Sequence, residues 1–251
     1  MTFPFYFKIG AYSIHPHILF EGLAYFIGFR VFLWMRKKSG DPLSNNQRLI
    51  IIAACISGGL LGSKILYWLT NPPLTLQNWR NASYLMGGKT IVGGLAGGLF
   101  MVEMVKKRMG ITQSTGDLFA IPLAVGLAIG RIGCFLSGLG DETYGSPTFL
   151  PWGINFGDGI ARHPVQLYEI LYLSVLTLWL RYLGQHHPRR GDMFKSFMVF
   201  YLGFRFLIEF IKPGIPIMGL NAIQWTSLAV IFYYWRDLPV LLRIKKESSN
   251  V

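Results

Sequence analysis

The stretch that decides the fold is Gly130-Arg131-Ile132-Gly133-Cys134-Phe135-Leu136-Ser137-Gly138. It ends a long apolar run that is typical of a membrane span, so we expect Arg131 inside or at the edge of a bilayer. An arginine at that depth costs at least ~2.5 kcal/mol, and it therefore needs a partner. A guanidinium offers planar, bidentate donors, and the flanking glycines let other groups approach the backbone closely. We therefore expect an anionic head group to bind Arg131.

The composition is that of a membrane protein. Of the 251 residues, 52% are hydrophobic and 14% are charged, against about 25% charged in soluble domains, and the mean hydropathy is +0.40. The net charge of +12 would favour nucleic acid in a soluble protein, but Lys and Arg also accumulate in the cytoplasmic loops of membrane proteins. We expect no nucleic-acid partner. Cys55 and Cys134 form no CxxC pair and indicate neither a disulfide nor a metal site.

Apolar runs of spanning length predict an all-α membrane protein with about seven transmembrane helices in one bundle. They lie near 18–35, 49–70, 91–105, 117–137, 166–183, 194–211 and 221–236. Basic residues cluster in alternate connections, so the positive-inside rule places the N-terminus outside and the C-terminus in the cytoplasm. The clusters are Arg36, Lys37, Lys38 and Arg48; Lys106, Lys107 and Arg108; Arg181, Arg189, Arg190 and Lys195; and Arg236, Arg243, Lys245 and Lys246.

We predict one integral-membrane domain, 1–251, and the segments outside the apolar runs differ in character. The aromatic-rich segment 1–17 is typical of the membrane interface, and 237–251 reads as a basic cytoplasmic tail. The connection 139–165 is the longest external one, and we expect no regular structure in it; such connections are often functional. The N-terminus lacks the basic start and the cleavage site of a signal peptide, so we expect none.

Charged residues inside the apolar runs are the candidates for function. Arg205 and Glu209 lie four residues apart and can pair on one helix face, although such a pair could serve only to orient the helix. Arg131 and Arg205 lie in the external halves of their predicted helices, where together they would form a positive site of the size of a phosphate. Lys64 lies in mid-span and would pair with an acid or touch a ligand.

A second polar block, His163-Pro164-Val165-Gln166-Leu167-Tyr168-Glu169, opens the fifth predicted helix. Pro164 suits a helix start, and Gln166 and Glu169 then share a face that we expect to point into the bundle. The ordinary pKa of histidine makes His163 a proton carrier at the interface, or else a structural hydrogen-bonding group.

Over most of its length, the chain resembles the prolipoprotein diacylglyceryl transferases of bacterial inner membranes. The resemblance implies a seven-helix bundle in the inner membrane without a cofactor or metal. It also implies a reaction that moves the diacylglyceryl group of phosphatidylglycerol, a membrane lipid, onto a cysteine thiol of a prolipoprotein signal peptide. The residues that carry it are Ile9-Gly10, Gly22, Tyr25, Gly62, Gly93-Gly94-Leu95-Ala96-Gly97, Gly130 to Gly145, His163 to Glu169, and Phe204-Arg205-Phe206-Leu207-Ile208-Glu209-Phe210.

The resemblance also implies roles for individual residues. Arg131 and Arg205 would bind the donor's phosphate. The head-group site would further include Gly133, Cys134, Ser137 and Gly145, and the supporting residues would be Glu209, Gln166, Tyr168, Glu169, Gly93, Gly94 and Tyr25.

The chain departs from the family pattern on the side that activates the thiol. Val92 stands where the family commonly has a histidine, Glu21 where it has a tyrosine, and Cys134 and Ser137 where it has asparagines; a few extra residues also precede Glu142. His163 is therefore our first choice for the base, followed by Glu21, and Glu142 and His17 are further candidates. Two alternatives stay open: a phospholipid-dependent transferase with a different acceptor, and a membrane protein that only binds or transports lipid.

Overall fold

The computed structural model describes residues 3–10, 12–186 and 190–238. It consists mainly of helices, with two short antiparallel hairpins that pair β1 with β2 and β3 with β4. The helices are α1 (Pro16–Ser39), α2 (Asn45–Thr70), α3 (Pro72–Gln77), α4 (Ala82–Met86), α5 (Ile91–Arg108), α6 (Asp117–Ser137), α7 (Val165–His186), α8 (Asp192–Ile208) and α9 (Ala222–Tyr233). The strands are β1 (Phe7–Ile9), β2 (Tyr12–Ile14), β3 (Ile154–Asn155) and β4 (Ala161–Arg162).

Each apolar run identified in the sequence falls on one of the longer helices, α1, α2, α5, α6, α7, α8 or α9. Within the described residues, three helical segments are long and apolar enough to cross a membrane: Pro16–Ser39, Asn45–Thr70 and Asp117–Asp141. Large apolar side chains such as Phe26, Leu60 and Leu61 are exposed on the outer faces of these helices. A continuous surface of this kind is unfavourable in water, so the chain has the character of an all-α membrane protein.

The predicted connections contain more structure than the sequence suggests. The segment 1–17 holds the β1–β2 hairpin and the start of α1. The expectation of no regular structure at 139–165 is wrong, because this segment holds a short 3₁₀ turn and the β3–β4 hairpin. Local backbone hydrogen bonds can form such short elements without any apolar periodicity. Most of the predicted tail 237–251 lies outside the described residues, as does Arg189.

Two helix pairs form the frame: α1 packs along α6, and α2 packs along α5. The second pair meets through Gly58 and Gly62 of α2 and Gly93 and Gly97 of α5, which we call the glycine seam. A methyl group on Gly62 would lie 2.7 Å from the Cα atom of Gly97, closer than side chains pack. Small residues of this kind let the backbones of membrane helices approach each other.

Lys64 has partners that its sequence position did not predict. Its Nζ atom donates to the carbonyl oxygens of Gly87 and Gly88, at 2.7 Å each, and also to that of Met86. Among the described residues, its hydrogen-bond partners are these backbone carbonyls rather than an acid, and they fix the segment that leads from α4 to α5 onto the side of α2. A lysine can satisfy three acceptors at once because its ammonium carries three donors.

The main hydrophobic core lies between α5 and the helices α6 to α9. Leu173 of α7 and Phe197 and Leu202 of α8 are completely buried there. At the end of the bundle opposite to residue 131, Arg48 at the start of α2 pairs with Asp41 at 2.6 Å and donates to the Thr115 carbonyl at 3.1 Å. Burial alone would raise the pKa of Asp41, but the hydrogen bonds from Arg48 and the Leu43 amide hold this pKa below its usual value.

Candidate active site

Arg131, Glu169 and Arg205 meet in the interior although they lie on three different helices, α6, α7 and α8. Glu169 Oε2 lies 2.7 Å from Arg131 Nε and 3.0 Å from Arg205 Nη1. The three residues are 6%, 0% and 3% exposed, respectively. The sequence correctly predicts that Glu169 faces the bundle and that the two arginines converge. However, an acid of the protein itself stands between them.

Further polar residues complete this arrangement. Tyr201 donates its hydroxyl to Glu169 Oε1 at 2.5 Å. Glu209 pairs with Arg205, as its spacing predicts, and lies 3.7 Å from Lys212 Nζ. We call Arg131, Glu169, Tyr201, Arg205, Glu209 and Lys212 the arginine cluster.

The arginine cluster has one positive charge more than it has negative charges, because three cations face two carboxylates. Removing such charges from water is costly, so buried ions persist only when they are paired and hydrogen-bonded. Burial, followed by repulsion from Arg205, lowers the pKa of Lys212 to about 8. The excess charge therefore suits an added anion, such as a phosphate diester.

A second group of ionisable residues lies beside the arginine cluster and centres on His17 at the start of α1. Its Nδ1 atom is 2.7 Å from Asp141 Oδ1, and its Nε2 atom is 3.5 Å from Glu21 Oε2. His17, Cys134 and Asp141 each place one donor atom within 4.8 Å of the others. We call His17, Glu21, Cys134 and Asp141 the histidine cluster. Cys134 connects the two groups, because Arg131 Nη1 donates to its Sγ atom at 3.7 Å.

Local backbone structure positions these side chains. The His15 side chain caps α1 at the His17 amide, and Pro16 occupies the first turn, where a missing N–H costs nothing. At the other side, Gly138 ends α6 with a φ of 63°, a left-handed conformation that glycine adopts without strain. The chain then turns through a 3₁₀ helix that returns Asp141 to His17.

The acids of the histidine cluster have partners of their own. Tyr25 donates to Glu21 at 3.2 Å, and Lys89 pairs with the same carboxylate. Asp141 accepts from the Thr143 hydroxyl at 2.9 Å. Gln166 donates to the Thr143 oxygen at 3.2 Å, so it supports the site from α7 and faces inward as the sequence predicts.

His163 lies in different surroundings. Its Nδ1 atom is 3.3 Å from the Tyr168 hydroxyl, which also accepts from Trp152 Nε1 at 2.8 Å. These contacts place His163 and Tyr168 beside the β3–β4 hairpin rather than in either cluster. Glu142 is exposed and has a left-handed backbone with a φ of 52°.

The small residues that the resemblance assigns to the site contact the protein itself. A methyl group on Gly133 would lie 2.8 Å from Phe20 Cβ, and one on Gly145 would lie 2.6 Å from His163 Cβ. Ser137 is buried and donates to the Gly133 carbonyl at 2.8 Å. A methyl group on Gly94 would lie 3.6 Å from the carbonyl oxygen of Gly59 in α2, whereas Gly93 of the glycine seam leaves no space for one. Both glycines therefore contribute to the contact between α2 and α5.

Val92 is 1% exposed and belongs to the main hydrophobic core. A valine side chain cannot carry a proton. If a thiol is activated, the group that does so must be another residue of this chain.

Several residues of the site were not identified from the sequence. Tyr201 had a usable signal, because it lies four residues before Arg205 and eight before Glu209, on the same helix face. Three other residues lie in connections or at a helix start, where no periodicity indicates the direction of a side chain: Asp141, Lys212 and Asn221. Asn221 donates to Glu209 at 3.1 Å.

Comparison with known proteins gives a consistent result. The sequence model of the prolipoprotein diacylglyceryl transferase family matches residues 4–235. Among curated relatives, the phosphatidylglycerol–prolipoprotein diacylglyceryl transferase of Methylobacillus flagellatus is 34% identical, over 89% of this chain and 90% of its own. The transferases of that name from Bordetella parapertussis and Geobacter sulfurreducens are 33% and 32% identical, over 89% and 87% of this chain and 89% and 85% of theirs. The chain therefore belongs to the prolipoprotein diacylglyceryl transferase family.

Proposed function

We propose that the chain transfers the diacylglyceryl group of phosphatidylglycerol onto the cysteine thiol of a prolipoprotein signal peptide. The observation that carries this proposal is the buried arginine cluster with its one excess positive charge, which lies directly beside the histidine cluster in a member of this family. The first supplies a site for the phosphate of the donor, and the second supplies groups that can activate a thiol.

In the reaction, the thiol sulfur attacks the glycerol carbon that carries the phosphate oxygen. The carbon–sulfur bond forms, the carbon–oxygen bond breaks, and glycerol phosphate leaves with the bonding electrons. Arg131 and Arg205 face the charge that develops on this oxygen, and they are already oriented by Glu169 and Glu209. Preorganised donors are effective because they need no rearrangement during the reaction.

The thiol must lose its proton, because the thiolate is the nucleophile. His163, Glu21, Glu142 and His17 are the groups that the sequence suggests for this step. The geometry favours the histidine cluster over His163, because His17 lies beside Cys134 and hence beside Arg131. The proposed function itself does not depend on which of these groups acts.

We further propose seven spans in the bacterial inner membrane, with the N-terminus outside. The starts of α1, α7 and α9 and the ends of α6 and α8 all lie at the site, as an alternating bundle requires. The basic clusters after α1 and α5 belong to the opposite end. Since basic loops remain in the cytoplasm, the site would lie towards the external side, where lipoprotein precursors emerge.

The test is a transfer assay with the purified protein, phosphatidylglycerol in mixed micelles and a signal peptide that contains its cysteine. We expect glycerol phosphate release and a peptide that gains one diacylglyceryl group by mass spectrometry. Arg131→Ala should abolish both, and Arg162→Ala, at an arginine of the β3–β4 hairpin that pairs with Asp158 outside both clusters, should not. A folded wild-type protein that releases no glycerol phosphate with any acceptor would show that it only binds or transports lipid.

A transferase with the same donor and a different acceptor is the second candidate, and the buried Val92 favours it because a valine stands where the family commonly has a histidine. A peptide whose cysteine is replaced by serine, and small thiols in place of the peptide, distinguish the two. Release of glycerol phosphate that depends on a small thiol and not on the peptide would establish this second function.

A further inference from the structure

Three side chains of the histidine cluster lie close together in a way that the proposed function does not itself require: His17, Cys134 and Asp141. They come from the start of α1, the end of α6 and the turn after it, and they bring together one nitrogen, one sulfur and one oxygen donor. We propose that these three side chains bind a zinc ion whose fourth position is open to the acceptor thiol. This inference rests on the proposed function, which it deepens by assigning the way in which the thiol is activated.

The geometry of the three donors fits zinc. Tetrahedral zinc with ordinary bond lengths holds nitrogen, oxygen and sulfur ligands about 3.3–3.6 Å apart. The three donor atoms lie within 4.8 Å of one another, and His17 Nδ1 and Asp141 Oδ1 are 2.7 Å apart, so side-chain shifts of about 1 Å would suffice. Three protein ligands with an open fourth position are typical of catalytic rather than structural zinc sites.

A second observation points to a ligand at this place, namely the contacts that hold His17 and Asp141 from behind. His17 directs Nδ1 towards the site and Nε2 towards Glu21, which is the carboxylate–histidine arrangement that orients metal-binding imidazoles. Glu21 is itself held by Tyr25 and Lys89, and Asp141 accepts from Thr143 through the oxygen that points away. His17 and Asp141 are 25% and 12% exposed at their side chains, so an ion and a substrate can reach them.

The ion would replace the base that Val92 cannot provide. A thiol that coordinates zinc is deprotonated, so the acceptor loses its proton to solvent on binding. The zinc-bound thiolate then attacks the glycerol carbon of the lipid, and its sulfur electron pair forms the new bond. The electrons of the broken carbon–oxygen bond leave with glycerol phosphate, whose charge faces Arg131 on the other side of Cys134. Zinc keeps its oxidation state throughout, and no further reactant is needed.

The first experiment measures metal in the protein purified without a histidine tag, after incubation with zinc alone and gel filtration. We expect about one zinc per chain. Cys134→Ser, His17→Asn and Asp141→Asn should each lower the affinity at least about tenfold, and Cys55→Ser, at the other free cysteine, should not change it. Thermal unfolding of each variant separates loss of the metal from loss of the fold.

The second experiment replaces zinc by cobalt, whose absorption reports its ligands. We expect a thiolate-to-cobalt band in the near ultraviolet that is present in wild type and in Cys55→Ser and absent from Cys134→Ser. Addition of a signal peptide with its cysteine, but not of the serine peptide, should change the visible spectrum as the fourth ligand binds.

Failure of this inference and failure of the proposed function give different results. A wild-type protein that takes up no zinc and retains full transfer activity with a strong chelator would overturn the metal site and leave the transferase intact, with His17 acting without a metal. The metal and cobalt measurements need no lipid donor. Zinc bound at these three residues in a protein without any transfer activity would therefore overturn the transferase and, with it, the role given to the metal.

Discussion

The arginine cluster and the histidine cluster adjoin each other but are built in different ways. Every carboxylate of the arginine cluster is almost completely buried and contacts at least two donors. In the histidine cluster, His17 and Glu21 are 25% and 32% exposed at their side chains, and Glu21 depends on the exposed Lys89. The contrast separates a site that is fixed before the substrate arrives from one that can still adjust.

This difference fits the two substrates. The phosphate of a lipid has the same size and charge in every donor molecule, so rigid arginines oriented by buried acids suit it. Signal peptides differ in sequence, and a partly exposed group can accept them without a large cost in desolvation. Substitutions in the first cluster should therefore affect stability and catalysis together, whereas those in the second should affect mainly the reaction.

The largest effect on stability is expected for Glu169→Gln. It removes the carboxylate between Arg131 and Arg205 and leaves the two guanidinium groups facing each other, which typically costs about 3–5 kcal/mol for a buried pair. Glu103→Gln, at a half-exposed acid that pairs with Lys106, is the matched control. Denaturant unfolding in detergent measures both; equal midpoints for the two variants would contradict the central role of Glu169.

The largest effect on catalysis is expected for Arg131→Lys. The charge remains, but the planar donors to Glu169, Cys134 and the phosphate are lost, so transfer should fall about 10²–10³-fold with the fold retained. Arg162→Lys provides the comparison at an arginine outside both clusters that pairs with Asp158. The transfer assay checks this, and an Arg131→Lys variant with wild-type turnover would remove Arg131 from the phosphate site.

Coupling between Arg205 and Glu209 tests whether the arginine cluster acts as one unit. Glu209→Gln should impair transfer less than Arg205→Ala, because the acid only orients the arginine. A double-mutant cycle on catalytic efficiency should give a coupling of at least about 1 kcal/mol. The same cycle at Asp158 and Arg162, a pair outside both clusters, should give a clearly weaker coupling. Additive effects at Arg205 and Glu209 would rule out the pairing role.

A smaller, pH-dependent effect is expected from Lys212. Below its pKa of about 8 the residue adds the excess positive charge, and above it the cluster becomes neutral, so the KM for phosphatidylglycerol should rise several-fold as the pH passes 8. Lys212→Met should have the higher KM at every pH and lack this rise, whereas Lys8→Met at an exposed lysine should behave as wild type.

The same group gives a signature in stability. The folded protein releases the Lys212 proton at about pH 8, whereas the unfolded chain holds it up to about 10.5. The unfolded state therefore binds more protons in this range, and the free energy of unfolding should rise with pH relative to Lys212→Met. A parallel pH course for the two proteins would contradict the shifted pKa.

The smallest effect is expected for His163→Gln, since His163 contacts Tyr168 beside the β3–β4 hairpin rather than either cluster. Its rate should stay within about twofold of wild type over the whole pH range, as for most substitutions outside buried networks. A pH–rate profile measures this together with Glu21→Gln. Should His163→Gln lose the acidic limb of the profile, the base expected from the sequence would be the correct one, and the histidine cluster would lose its role.

Periodicity and spacing along one helix predicted much of this molecule. The apolar runs coincide with the long helices, Glu209 pairs with Arg205, and Gln166 and Glu169 point inward. Contacts between distant segments could not be predicted in the same way. That Glu169 lies between the arginines depends on the depth and rotation of three helices, and that Asp141 reaches His17 depends on one glycine turn at the end of α6.

The glycine seam constrains how relatives of this protein can differ from it. A side chain at Gly62 would occupy the space of the Gly97 backbone, and one at Gly97 would occupy that of Gly62, at 2.7 and 2.8 Å from the opposing Cα atoms. Neither position can change by itself unless α2 and α5 move apart, which would also displace the helix that carries Val92. Across related sequences we expect these glycines to stay unchanged or to vary together, so the seam would leave a covariation record that reflects the contact between two helices rather than a shared ligand.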